Sequence, residues 1–262
     1  MVRRIRPIRH EDRLSVVDHL DELRSRLVLC IIAFVVAWSL TIWQNDHVLE
    51  IMNHPLPVDD STGKQIQPIT LGPAEAFTTT LMNAAYFAVL IAAPVILYEI
   101  YAFILPAFSP SERRVATPLL VLVPILFIAG AVFCYFVVLG PALHFLLNFN
   151  SDEFNTQVRA KDYYSFVSLL MLAMGLGFQI PVGVLAACKV GLTNADKLRK
   201  NRRYAIVVIV VLASLLPTLD PVTLLLESLP FYLLYELSIV LAARWGTPAY
   251  NMRGDEPATE GL

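Results

Sequence analysis

Charge is scarce in this sequence: 16% of its 262 residues are Asp, Glu, Lys or Arg and 56% are hydrophobic, where a soluble domain carries about 25% charged and about 45–50% apolar residues. So little charge cannot cover a water-exposed surface, and the bilayer is the expected solvent. Cysteine is nearly absent as well. Cys30, Cys134 and Cys188 each lie in or at the end of an apolar stretch, and their odd number argues against a disulfide framework. The histidines His10, His19, His47, His54 and His144 show neither an HExxH motif nor paired-ligand spacing, so no metal site is expected. A P-loop and a nucleophile elbow are both missing, which leaves no ATPase, protease or redox enzyme to read and no cofactor to expect. The basic residues do not form the stripe of a nucleic-acid binder. No small-residue cleavage site follows the first, long apolar run, so a cleavable secretory signal is not expected. An internal repeat of the kind that marks many transporters is also missing.

Long apolar runs are what the chain does have. From Ser15 onward Val16, Val17, Leu20, Leu23 and Leu27 recur at helical spacing, so an amphipathic helix leads from a basic stretch into the first run, Leu27 to Trp43. A polar loop reaches to about residue 70. The second run, about Ala76 to Leu105, contains Pro94 and is longer than the roughly 20 residues a straight span needs, which predicts tilt or a kink. Ser109-Pro110-Ser111-Glu112 has the form of a helix start, with Ser at the N-cap, Pro at the first helical position and Glu at the third. It opens a third run, about Val115 to Leu139. The fourth, about Tyr164 to Val190, is interrupted by Gly175, Gly177 and Pro181. Tyr204 to Leu216 and Leu224 to Ala243 are the fifth and sixth, and the fifth is too short for a straight span, which predicts local thinning of the bilayer.

The expected fold class is therefore all-α, a polytopic membrane protein with six transmembrane helices. With six spans, seventeen of the twenty Lys and Arg residues fall on the side of the termini and only Lys64, Arg159 and Lys161 on the other, so both termini are expected in the cytoplasm. Residues 1–26 then form a cytoplasmic basic segment with an amphipathic helix. Residues 27–243 form the six-helix domain, and 244–262 a cytoplasmic polar tail without stable structure.

The densest charged segment, Asp18 to Leu27, places Asp18, Glu22 and Arg26 on one helical face at i, i+4 spacing, in the favourable order for an ion pair. Taken by itself this is a solvated, ion-paired helix entering the membrane. Glu112 taken by itself is a helix cap favoured by the dipole of the third span. At membrane depth the polar candidates are Gln179, Glu227 and Glu236, since a carboxylate there is expensive to bury and points to function. Nine residues separate Glu227 from Glu236, which puts them roughly on opposite sides of a helix and disfavours a paired-carboxylate site. Glu236, toward the inner half of the last run, is the better candidate for a polar contact with another helix, a protein or a lipid. Asp220 sits between Pro217 and Pro221 in an expected outer turn, where solvation is cheap.

Several of these segments share one resemblance. His19-Leu20-x-Glu22-Leu23-Arg24-x-Arg26-Leu27 resembles the N-terminal signature of the TatC family, signal-peptide receptors of twin-arginine protein translocases. The stretch from Pro94-Val95-Ile96-Leu97-Tyr98 through Ala102-Phe103 and Pro106-Ala107 to Glu112-Arg113-Arg114 is similar to the family's first cytoplasmic loop. Asn53-His54-Pro55-Leu56 resembles its first outer-loop proline motif, Gly175 to Val182 its fourth helix, and Leu198-Arg199-Lys200-x-Arg202-x-Tyr204 its second cytoplasmic loop. The likeness runs in order over about residues 16 to 243.

The resemblance implies a receptor and scaffold subunit of the cytoplasmic membrane that is not an enzyme. It would bind the Arg-Arg signal peptides of folded proteins, assemble with single-span partners of the TatA and TatB type and with further copies of itself, and serve export driven by the proton motive force. It implies that Glu22 and Glu112 accept the signal's arginines, with His19, Arg24, Pro55 and Phe103 supporting the site or the fold. Family members often carry a glutamate where this chain has Gln179, so a contact here is made by an uncharged amide, which is cheaper to bury and still bonds across helices. Two other classes stand beside this one. A secondary transporter or channel for a small solute would need Gln179, Glu227 and Glu236 to line its path, and an intramembrane hydrolase would need a nucleophile and base at membrane depth.

Overall fold

The computed structural model describes residues 10–58, 63, 65–104, 110–150, 153, 156–189, 191–216 and 220–245. The first nine residues and the tail beyond 245 lie outside the described residues. Helix α1 (His10–Trp43) joins the amphipathic lead-in and the first apolar run without a break. It is followed by α2 (Asn45–Asn53), α3 (Glu75–Ile104) and α4 (Pro110–Phe133). A five-residue π turn, Cys134–Val138, carries α4 on into α5 (Leu139–Asn148). Then come α6 (Ala160–Gly177), α7 (Ile180–Lys189), α8 (Ala195–Lys200), α9 (Arg202–Ser214) and α10 (Pro221–Trp245).

Local chemistry sets several of these boundaries. Pro110 takes the first position of α4, as its fixed φ and missing N–H allow. At α10 the Asp220 carboxylate accepts the Thr223 N–H at 2.7 Å, and Pro221 opens the helix, so this residue of the expected outer turn is an N-cap. Asn194 caps α8 in the same way through the Lys197 N–H, also at 2.7 Å.

The third run is longer than expected, and the fourth is interrupted, as its Gly and Pro residues predict. The third continues beyond Leu139 to Asn148. Pro141 lacks the N–H that an α-helix would send back to Val137, and the wider turn just before it absorbs the misfit. The fourth run is two helices, broken at Phe178 and Gln179 ahead of Pro181. Among the described residues, five helical segments are long and apolar enough to cross a membrane: His19–Trp43, Glu75–Ile104, Leu120–Asn148, Ala160–Cys188 and Pro221–Arg244. The protein is thus a multi-pass membrane protein. Helix α9 has 13 residues, about 20 Å of rise against a hydrocarbon core of about 30 Å.

The helices pack in a row, α1 against α3, α3 against α4 and α6, α4 against α6, then α7 against α10 and α10 against α9. Helices α1 and α3 run antiparallel: Arg26 meets Glu99 at one end of the seam, and the Thr41 hydroxyl donates to the Ala84 carbonyl at the other, 3.0 Å away. Between these points Ala37, Ala88 and Ala92 are buried together. Small side chains let the two backbones approach where lipid supplies no hydrophobic drive between helices. Glycine does the same in the middle of the row. A Cβ at Gly175 would lie 2.6 Å from the Phe127 ring of α4, and one at Gly177 would fall inside the contact with Phe231 of α10. At the end away from Arg26, tyrosines of the bundle pin α2 in place: Tyr135 and Tyr163 donate to the Ile51 and Met52 carbonyls, and Tyr164 to Asn53 Oδ1. Below this cap lies the main core, with Met52, Leu139, Leu170, Met174 and Ile239 each at most 2% exposed.

Candidate functional site

A single helical face of α1 meets the last turns of α3, and this assembles most of the charged motif. The Glu22 carboxylate accepts two hydrogen bonds from the Arg26 guanidinium, at 2.6 Å from Nη2 and 3.1 Å from Nε. The i, i+4 spacing on α1 makes that fork possible. The remaining Nη1 donates to Glu99 of α3 at 2.7 Å. Arg26 thus bridges two carboxylates, of which Glu99 is 13% and Glu22 34% exposed. His19 lies one turn before Glu22, its Nδ1 3.9 Å from the carboxylate. Its ring stacks on Phe103 with centroids 4.4 Å apart and planes 11° from parallel. Glu99 and Phe103 are themselves i, i+4 on α3, so the carboxylate and the ring face α1 together.

The structure therefore brings Glu22, His19 and Phe103 into one cluster around Arg26. Arg24 is exposed and, two residues from Glu22, points to the other side of α1. The side chains of Asp18 and Glu112 lie outside the described residues; the Glu112 backbone is in the first turn of α4. Pro55 is at the opposite end of the molecule, about 31 Å of helix rise from Glu22 to Trp43. It sits in the turn after α2, where the Gln65 amide donates to the carbonyls of Asn53, His54 and Leu56 at 2.6, 3.2 and 3.3 Å.

The two other sequence candidates lie elsewhere in the row. Gln179, at the break between α6 and α7, donates its amide to the Val123 carbonyl of α4 at 3.1 Å and to Gly175 at 3.4 Å. Glu236 accepts from Arg202, the first residue of α9, at 2.8 Å and from Tyr232 at 3.0 Å. It thereby ties α10 to the basic start of α9. Glu227 is fully buried and does not join Glu236, in keeping with their nine-residue spacing.

Glu99 is the member of the cluster that the sequence reading did not single out. A signal was present, because it is a carboxylate far inside an apolar run and such a residue is a functional candidate by default. Its partner, however, is 73 residues away, and periodicity within one helix does not say which faces meet.

The family model described as Sec-independent protein translocase protein (TatC) matches residues 18–230. The TatC protein of Escherichia coli strain K12 is 34% identical over 229 residues, covering 87% of this chain and 88% of its own. That of Aquifex aeolicus strain VF5 is 34% identical over 230 residues, covering 87% and 94%. A crystal structure described as the twin-arginine translocase receptor TatC superposes with a TM-score of 0.73 at 35% identity, covering 86% of this chain and 99% of that one. Matched over most of its length in sequence and in fold, the chain belongs to the TatC family of Sec-independent protein translocase proteins.

Proposed function

We infer that this chain is the core receptor subunit of a twin-arginine translocase, working with other subunits of that machinery in transport rather than catalysis. It resides in the cytoplasmic membrane with six crossings, α9 being the short fifth, and with both termini in the cytoplasm; the asymmetry of Lys and Arg supports this orientation. Residues 1–26 form the cytoplasmic lead-in, 27–243 the membrane domain and 244–262 a cytoplasmic tail. The partners are single-span subunits of the TatA and TatB type together with further copies of the chain, and the proton motive force drives export.

The signal peptide's paired arginines bind at the cytoplasmic end of the α1–α3 seam, with the Glu22 and Glu112 carboxylates as acceptors. One observation carries this reading. Glu22 already accepts two guanidinium N–H bonds from Arg26, both at Oε1, and still remains 34% exposed at the basic end of the molecule. A carboxylate so disposed suits an arginine ligand, which binds in a bidentate fork and keeps its charge. The His19–Phe103 stack walls the site beside it.

Two measurements test the proposal. The chain, supplied with matched partner subunits, should restore export of a twin-arginine reporter in a cell lacking its own TatC. Failure of the unaltered chain to do so removes the receptor reading. In detergent, Glu22→Gln and Glu112→Gln should each weaken binding of an Arg-Arg signal peptide by about 1.5–3 kcal/mol, roughly tenfold to hundredfold, and should discriminate less against a Lys-Lys peptide. A helix cap alone predicts a silent Glu112→Gln, because glutamine preserves the capping box.

A further inference from the structure

Far from the Arg26 cluster, the facing sides of α3 and α6 carry polar groups in an otherwise apolar seam. Thr79, Asn83 and Tyr86 share one face of α3 at helical spacing, and Lys161, Tyr164 and Ser165 share one face of α6. With Met82 they line a cavity of about 90 Å³, several times the roughly 10–15 Å³ that a single water needs. Asn83 is 1% exposed, and neither its Oδ1 nor its Nδ2 has a hydrogen-bonding partner; Thr79 is 6% exposed and its hydroxyl is likewise unmatched. Buried polar groups are nearly always hydrogen-bonded, so orphans that line a cavity point to something that fills it.

The lining selects the chemistry of that occupant. It includes no carboxylate, and Lys161 supplies its one charged group. Glu75, one turn before Thr79, is engaged by the Arg159 guanidinium at 2.6 Å and by the Leu71 N–H at 2.7 Å. Asp162 is 70% exposed and lies 3.9 Å from Arg159. Tyr164 and Ser165 already donate elsewhere, to Asn53 Oδ1 and to the Asp162 carbonyl. What is offered to a ligand is an ammonium, a carboxamide and hydroxyls, a donor-rich set for a singly charged anion with several acceptor oxygens. Thr79 and Asn83 lie about 6 and 12 Å along α3 from Glu75, the first residue of that candidate span, so the pocket belongs to the end of the span, where headgroups meet hydrocarbon. Lys161 is exposed beside them and can extend to the phosphate level. We propose that this pocket holds the phosphodiester of an anionic phospholipid, in the leaflet opposite the Arg26 cluster, with the acyl chains running down past Met82.

The full-length chain, purified in detergent and stripped of lipid, can be titrated with phosphatidylglycerol, with diacylglycerol of the same acyl chains and with inorganic phosphate, and read by native mass spectrometry. Phosphatidylglycerol should bind, and diacylglycerol at least about tenfold more weakly. Asn83→Leu and Lys161→Gln should each lower phosphatidylglycerol affinity by a similar factor. Lys161 is exposed, so that variant carries the test alone if Asn83→Leu fails to fold. Equal retention of diacylglycerol, or unchanged affinity in Lys161→Gln, overturns the proposal and leaves the cavity to water. Uptake of inorganic phosphate without lipid overturns the lipid source and keeps the anion. Because signal-peptide binding involves the other end of the molecule, neither result depends on that reading.

Discussion

Arg26 is the residue that links α1 to α3 at the end of the seam where Glu22 and Glu99 lie. Its guanidinium is shared between Glu22 on its own helix and Glu99 on the other, so each carboxylate limits how tightly it can be held by its rival. Glu99→Gln leaves Glu22 as the single anionic partner, which should draw Arg26 closer to the carboxylate proposed to accept the signal peptide's arginines. The expected outcome is weaker binding of an Arg-Arg peptide, by about tenfold or less, and recovery of affinity when Arg26→Gln is added. A double-mutant cycle on peptide affinity checks this; purely additive losses would reduce Glu99 to a strut between helices. The motif around Glu22 was legible in the sequence because its residues are neighbours, and the family resemblance singled out His19 and Phe103 without indicating that they stack on each other. Glu99 and Asn83 were not legible. Their significance depends on the helix opposite them, which a one-dimensional pattern does not contain.

Among the elements, α9 departs furthest from a standard span. Its 13 residues are exposed at Val207, Val208, Val211 and Leu212, so it lines the edge of the row with a stubby apolar wall. The length was readable directly from the sequence, as was the break at Pro181, because a proline and the end of an apolar run act locally. The continuation of α4 into α5 was not, since Gly140 and Pro141 look like a terminator until a π turn is known to precede them. Inserting four leucines into α9 adds about 6 Å of rise. Membrane insertion should persist while export of a twin-arginine reporter falls, because the bilayer at that edge would no longer be drawn thin. Full export by the lengthened chain would show that the short span has no bearing on transport.

For the whole molecule, orientation is the property on which every placement of the signal peptide depends. Single cysteines introduced at positions 8, 62, 111, 155, 200 and 258 of a variant lacking Cys30, Cys134 and Cys188 should react with an impermeant outside reagent only at 62 and 155. Labelling at 111 or 200 in sealed cells would overturn the six-span arrangement. That arrangement is proposed from the uneven placement of Lys and Arg, whereas the order of helices in the row depends on small residues such as Ala88 and Gly177 whose partners no charge pattern reveals. The π turn bears on the same order. Leu139 donates its N–H to Cys134, five residues back, so the segment holds one residue more than an α-helix of equal rise. On an unbroken helix Cys134, Val138, Leu139, Ala142 and Leu143 would fan over about 180°, yet all five are buried. The wide turn absorbs the surplus residue and keeps α5 in register with α4. The chain here behaves as a vernier: a single deletion between Cys134 and Val138 would let an unbroken α-helix carry Cys134, Leu139, Ala142 and Leu143 within about 100° of arc, still facing the core.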